Sequence, residues 1–493
     1  MNGDTSGFPF PAATLYRSLI SLITPLGVQA SGGELYRGAI FGRDSLRVGL
    51  DLVPWFPDLS ETILLSLATF QSTARNVVTD ATGPGQIPHE IRSRFIGARE
   101  VTGNPAAILR ELSPKWGGTD DLLVYYGSVD ATLQFVRLIQ HHVRLHGPDL
   151  LDIAFRHHDG SRRTLRDSLL AAVRWTAAQV AQAELPLMGF QRLNQLHGHR
   201  WQILQDGATS ILHADGSLAN GDGRVETIGL QGLAWDALIA GADLLHNEVP
   251  AETAVWRDLA LRLREETLAR FWNPEERYFL TGFDRNPATG QPRPIAALTA
   301  IPVELLETTF FDELPAAERE AYVSGIVAMA NGPEFLTRAG IRSRALRHAD
   351  LLDYSDYHGA FTCWGVTNSV YVAGLRRQAR VPAADELVRR HLGMLAGTGA
   401  LHEFMYVDAA GDVRWPLLDA NDTAVSDVVY GTNKPEIDQA WTLSFALREM
   451  LTQRANPLHF PDIAMVRTGM HPARLDREEA RQREAAFLAR QPG

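Results

Sequence analysis

Cys363 is the one cysteine in a chain of 493 residues, so no internal disulfide framework can form, and a reducing compartment fits. No run of lysine and arginine occurs. With a net charge of −11 and a pI near 5.8, the chain lacks the electrostatic footprint of a nucleic-acid partner. No apolar run reaches the roughly 20 residues that span a bilayer, so no membrane partner is expected. The stretch "SLISLITPLGVQA" (18–30) comes nearest to a secretory leader. It is short, contains Pro25 and is preceded only by Arg17, so it reads as a first soluble segment, with the cytoplasm as the expected location. There is no phosphate loop, dinucleotide fingerprint or Gly-x-Ser-x-Gly elbow. "HGH" (197–199), "QHH" and "RHHD" lack ordinary zinc spacing. "DGSLANGDG" places Asp215 and Ser217 at calcium-loop positions, but Ala219 stands where a ligand is needed. No cofactor and no metal is expected.

What is present is helical periodicity. Forty-five per cent of the residues are hydrophobic, enough for a large core. Val129, Leu133, Val136 and Val143 share one helical face. So do Leu230, Leu233, Ala237 and Leu244, and again Ile437, Trp441, Leu447 and Leu451. Further helices are expected near 60–75, 165–183, 253–271, 315–331 and 384–396. Alternating runs are scarce, which predicts an all-α class. No Gly/Ser or Pro-rich linker divides the chain. One domain over 35–455 is expected, after a lead-in at 1–34 and before an extension at 456–493 that ends in a charged helix.

Polar, Gly-rich or aromatic segments precede several helices: "FGRDSL" (41–46), "YYGSVD" (125–130), "LQDGATSILHADG" (204–216), "SDYHGAFTCWG" (355–365) and "YGTNKPEID" (430–438). In a ring of antiparallel helical hairpins, such segments gather at one end. The cleft they would line is rich in Asp, Arg, Trp, Tyr and His, as a sugar site requires. Hydrolysing a glycosidic bond needs an acid at the leaving oxygen. An inverting enzyme also needs a base for water, about 6.5–9.5 Å from the acid. Asp206 is the first candidate acid, since Leu204 and Ile211 nearby would raise its pKa; an Asp-Gly turn is the plain alternative. Glu403, among His402, Phe404, Met405 and Tyr406, is the candidate base. Glu436 competes with it, or serves as a first-turn helix acid. Arg43 and Asp44 suit sugar hydroxyls, although Asp44 also fits a helix N-cap. His89, Glu90 and Arg92 form a dense polar loop, and Tyr357, His358 and Trp364 could form an aromatic wall.

Taken together, "FGRDSL", "GQIPHEIR", "YYGSVDATLQFV", "LQDGATSILHADGSLA", "VETIGLQGLAWDAL", "DYHGAFTCWG", "LHEF" and "DQAWTL" fall in the order of bacterial amylo-α-1,6-glucosidases, the glucosidase half of glycogen-debranching enzymes. The resemblance covers about residues 35–450. It implies an (α/α)6 toroid, as in glucoamylases and trehalases, and an inverting mechanism. It puts the general acid on Asp206 and the base on Glu403, with Arg43 and Asp44 binding the glucosyl unit. His89, Glu90, Arg92, Tyr126, Asp130, Gln231, Tyr357, His358 and Trp364 become further substrate-binding candidates. Two departures stand out. Leu204 replaces a common Trp, and Gly207, Ala208 and Thr209 follow the acid where Ser-Trp-Asp is usual. A long stretch between Glu403 and "DQAW" keeps Glu436 as an alternative base.

The expected partner is therefore a carbohydrate: an α-glucoside, an oligosaccharide or a glycogen-like glucan. The extra N-terminal domain of many such proteins has no counterpart here, which points to a smaller substrate. Two other readings remain. A sugar epimerase or unsaturated-glycoside hydrolase could use the same toroid, an epimerase relying on His pairs. A non-catalytic carbohydrate-binding protein would bind sugars without turnover.

Overall fold

The computed structural model describes residues 8–453 except 25, 34, 97–98, 183–184, 416–422 and 431–432. The expected charged helix within 456–493 lies outside the described residues. The described helices are α1 (Ala12–Leu22), α2 (Gly42–Leu52), α3 (Pro57–Thr69), α4 (Asn104–Trp116), α5 (Asp130–His146), α6 (Leu165–Ala181) and α7 (Ile228–Leu244). The second half adds α8 (Pro250–Phe271), α9 (Ala316–Ala330), α10 (Gly365–Arg377), α11 (Val381–Thr398), α12 (Thr423–Tyr430) and α13 (Ala440–Thr452). Local chemistry sets several starts. Proline occupies the first turn of α3, α8 and α11, where its missing N–H costs nothing. Thr164 and Asp167 close a capping box on α6.

Five of these helices and the 3-10 helix Ile301–Glu307 pack in a closed cycle. α2 meets α5, α5 meets α7, and α7 meets Ile301–Glu307, which meets α10; α10 then meets α13, and α13 returns to α2. Each inner element has an outer partner: α3 on α2, α6 on α5, α8 on α7, α9 on Ile301–Glu307, α11 on α10 and α1 on α13. The inner position explains α7. Flanked on both sides and backed by α8, it is buried on nearly every face. A Cβ at Gly241 would come within 2.5 Å of Val173, so α6 packs this close to α7 only because that residue has none. α1 contributes Leu15, Leu19 and Leu22 to the main core, each burial being worth about 1.5–3 kcal/mol. The segment assigned as a lead-in is thus packed against α13.

The structure departs from the all-α expectation in its connections. Among the described residues, eight small antiparallel sheets, with strands of two to four residues, lie between the helices. Strands this short show no readable alternation. Two of the sheets shape the site. One joins Ala39–Phe41, Glu90–Ser93 and Leu122–Tyr125; the other joins Thr362–Trp364, Phe404–Val407 and Val413–Trp415. Their strands Ala39–Phe41 and Thr362–Trp364 run directly into α2 and α10. Ile437, expected on the face of the last helix, precedes α13 and is exposed. Among the described residues, no helix is long and apolar enough to cross a membrane.

Candidate active site

The segments leading into the inner helices do gather at one place. Tyr36, Phe41, Arg43, Asp44, Leu204, Asp206, Tyr357, Trp364, Glu403 and Trp441 line a cavity of about 320 Å³. Arg43 and Asp44 come from the first turn of α2, and Trp441 from that of α13. Leu204 and Asp206 come from the loop between α6 and α7, while Tyr357 and Trp364 precede α10. Glu403 immediately precedes the strand Phe404–Val407. Six residues singled out from the sequence therefore meet: Arg43, Asp44, Asp206, Tyr357, Trp364 and Glu403.

Arg43 organises one side. Its Nη2 donates to Asp206 Oδ2 at 2.8 Å and its Nη1 to Asp130 Oδ2 at 3.2 Å. Asp206 is partly exposed and charge-paired, not enclosed by Leu204 and Ile211 as its sequence neighbours suggested. The apolar environment belongs instead to Glu403, which is 2 % exposed. Burial pushes its carboxyl up to about 8, and the Asp44 and Glu436 charges add to this. Two donors oppose the shift: the backbone N–H of Glu436 at 3.2 Å and the Tyr357 hydroxyl at 2.9 Å. Burial and the nearby Glu403 raise both the Tyr36 and the Tyr357 hydroxyls well above the usual phenol value, so both stay protonated beside it. Burial also raises Asp44 to about 7, with Arg43 pulling it down and Asp206 adding to the rise.

Asp44 is not an N-cap: α2 starts at Gly42 after Phe41, placing Asp44 inside the first turn. Glu436 is not a first-turn acid either, because α13 begins at Ala440. Its carboxylate accepts from Ser31 Oγ at 2.6 Å and from the Leu35 N–H at 3.3 Å. It ties the N-terminal segment to the site and does not line the cavity.

Other sequence candidates stand behind the wall. Asp130 holds Arg43. Glu90 and Arg92 pair with each other, and Arg92 lies over Phe41. His89 packs edge-on against Phe41, and His358 stacks on Trp364 at 4.2 Å. Phe404 stacks on Trp364 at 4.8 Å with an interplanar angle of 23°. With these stacked partners, Trp364 stiffens the wall it lines. Tyr126 and Gln231 lie away from the cavity, with polar groups engaged by backbone: Tyr126 on Phe70 O, Gln231 on Met188 and Thr227. The Asp215 carboxylate accepts from the N–H and hydroxyl of Ser217, closing its own turn.

Tyr36, Phe41, Leu204 and Trp441 were not singled out as site residues. Phe41 and Leu204 open the quoted segments "FGRDSL" and "LQDGATSILHADG", so adjacency to Arg43 and Asp206 was the available signal. Trp441 had been given to a helix face. It is there, yet it is also in the first turn, where the inner helices meet the cavity.

Beneath the site lies a second cavity of about 500 Å³, lined by Arg43, Asp130, Glu304, Glu307 and Arg137 among others. Arg47 joins Glu307 at 2.7 Å, and Arg137 joins Asp236 at 2.9 Å. Burial raises Glu304 to about 8, whereas Arg47 and Arg137 hold Glu307 down at about 2 against its own burial.

No protein-family model matches the chain, and no curated protein matches its sequence. Solved structures share its fold. The GH63 mannosylglycerate hydrolase from Thermus thermophilus in complex with glucose aligns with a TM-score of 0.54 at 14% identity, covering 90% of this chain and 99% of that one. The same hydrolase in complex with Tris gives 0.56 at 13% identity, with the same coverage. At this identity the likeness speaks to the fold, which is one used by glycoside hydrolases.

Proposed function

We propose that the chain is an inverting glycoside hydrolase built on an (α/α)6 toroid, with residues 35–455 as its catalytic domain. The closed cycle of six inner elements, each with an outer partner, supports the toroid. One observation carries the chemistry: Asp206 and Glu403, far apart in sequence, line one cavity with Arg43 and Asp44. Asp206 gives its proton to the glycosidic oxygen. Glu403 takes a proton from the attacking water. The N–H of Glu436 and the hydroxyl of Tyr357 orient the Glu403 carboxylate while leaving it lone pairs for that water. Glu403 must be ionised to act as the base, so the rising limb of activity with pH belongs to it.

The substrate we infer is a small α-hexoside. Tyr36, Phe41, Tyr357 and Trp441 close around the carboxyls, which favours one hexosyl unit on a compact aglycone over a glycogen-like branch. The debranching-type α-glucosidase reading survives as the linkage class, and the mannosylglycerate hydrolase of the same fold adds hexosyl conjugates of small acids to the panel. The epimerase reading is disfavoured because His89 and His358 stand behind the wall, not in it.

The test is proton NMR of the first-formed anomer from isomaltose, panose, maltose, trehalose, a branched limit dextrin and α-glucosyl and α-mannosyl glycerate. β-Sugar released by the wild type, and lost in both Asp206→Asn and Glu403→Gln, is the expected result. An α-product overturns inversion. Binding without turnover across the panel overturns the enzyme reading for these sugars.

A further inference from the structure

The "HGH" segment has no zinc spacing of its own, but the fold supplies partners for its second histidine. His89, at the start of the first three-stranded sheet, His199 and Asp206 each place a ligand atom within 4.8 Å of the others. Both rings are held by packing. His89 lies edge-on to Phe41 and Tyr125. His199 leans on Trp116 and Tyr125, and its backbone N–H donates to the Tyr125 hydroxyl at 2.7 Å. That hydroxyl donates to Asp80 at 2.8 Å, fixing the loop. His89 is buried, and its Nδ1 has no hydrogen-bond partner, which is costly for a buried polar atom.

We propose that His89, His199 and Asp206 form a site for a divalent transition-metal ion of the Zn²⁺ type. Two imidazoles and a carboxylate match the borderline-soft preference of Zn²⁺ and leave a fourth position for water. Mg²⁺ and Ca²⁺, which demand more oxygen ligands, are excluded by the same donor set. Arg43 opposes the ion, because its Nη2 already engages Asp206 Oδ2. Binding is therefore reversible and of moderate affinity.

The consequence rests on the proposed function. Asp206 cannot hold a metal ion and a transferable proton together. When the metal coordinates, the Asp206 carboxylate gives its lone pairs to the ion in place of Arg43 and cannot carry a proton, with no change in oxidation state. Zn²⁺ and turnover exclude each other.

The experiment is calorimetric titration of the chelator-treated full chain with ZnCl₂, with MgCl₂ as control. The expected result is one Zn²⁺ site per chain in the micromolar range, no Mg²⁺ binding, and loss of that site in His199→Phe. Phenylalanine keeps the contact with Trp116 and Tyr125 while removing both nitrogens, and circular dichroism checks its fold. Equal Zn²⁺ binding by wild type and a folded His199→Phe overturns the site. A second arm measures turnover with and without Zn²⁺: inhibition in the wild type, relieved by chelator and absent in His199→Phe, is expected. Bound Zn²⁺ with undiminished turnover overturns the exclusion. If no sugar is hydrolysed while the calorimetry succeeds, the proposed function fails and the metal site stands.

Discussion

Replacing Tyr357 by phenylalanine removes one oxygen atom from the cavity wall and leaves the ring contacts with Trp364 and Phe404 in place. The lost hydroxyl donates to Glu403 Oε1 at 2.9 Å, and this bond favours the ionised carboxylate. A hydrogen bond to a charged group contributes about 1.5–3 kcal/mol. At about 1.4 kcal/mol per pKa unit, its loss raises the Glu403 carboxyl by about one to two further units. That carboxyl already stands near 8 because it is buried. A base works only when ionised, so kcat/KM rises with pH through this value in the wild type. In Tyr357→Phe the rising limb moves up by the same one to two units. Activity at pH 7 falls about 10- to 100-fold and recovers as pH rises, following the shifted ionised fraction. The assay is a pH profile of kcat/KM from pH 5 to 10 for both proteins. A drop of equal size at every pH refutes the reasoning, since it would place the hydroxyl on the substrate and not on the base.

Other substitutions test the supports of the site. Arg47→Met strips a cation from Asp51 and Glu307, leaving Asp51 to Arg448 and Glu307 to the more distant Arg137. Breaking such a pair costs about 3–5 kcal/mol, read as a lower urea midpoint with the slope unchanged. Gly42→Ala puts a Cβ within 2.2 Å of the Pro88 carbonyl, so α2 must shift against the strand beside it; a loss of about 1–3 kcal/mol is expected on the same assay. Glu304 is raised to about 8 by burial, so the folded chain holds a proton there that the unfolded chain loses near its ordinary value of 4.5. Folding stability from this group therefore falls as pH rises from about 4.5 to 8. Glu304→Gln removes that dependence, and its stability relative to wild type should grow between pH 5 and 8. An unchanged difference across that range would put the proton elsewhere.

The helices were legible because long amphipathic segments repeat their apolar residues every three to four positions. Leu133 and Val136 in α5, and Leu447 and Leu451 in α13, are buried as their spacing required. Helices with charges on a buried side were located by the polar segments at their starts, but their enclosed polar faces were not legible. α2 carries Arg43, Asp44, Arg47 and Asp51 on a face that is as buried as its apolar one, so its amphipathic pattern does not show that the polar face is enclosed too. Its polar residues are satisfied by partners far along the chain: Asp130, Asp206, Glu307 and Arg448. Such pairings exist only after the ring closes.

The same limit explains what went wrong at the two carboxyls. Neighbours in sequence suggested that Asp206 is the enclosed one, because Leu204 and Ile211 flank it. Ile211 is indeed fully buried, but it faces the core while Asp206 turns toward Arg43. Glu403 looked mixed, between His402 and Phe404, yet its strand packs it under Tyr357 and against the Glu436 backbone. A carboxyl's proton affinity is set by what surrounds it within a few ångströms, and in a closed ring those groups come from other hairpins. Motifs in the sequence identified six of the residues that meet in the cavity: Arg43, Asp44, Asp206, Tyr357, Trp364 and Glu403. Which of them is dry, and which is charge-paired, is decided by packing: burial raises Glu403, with Asp44 of α2 adding to the rise, while Arg43 of the same helix pairs with Asp206.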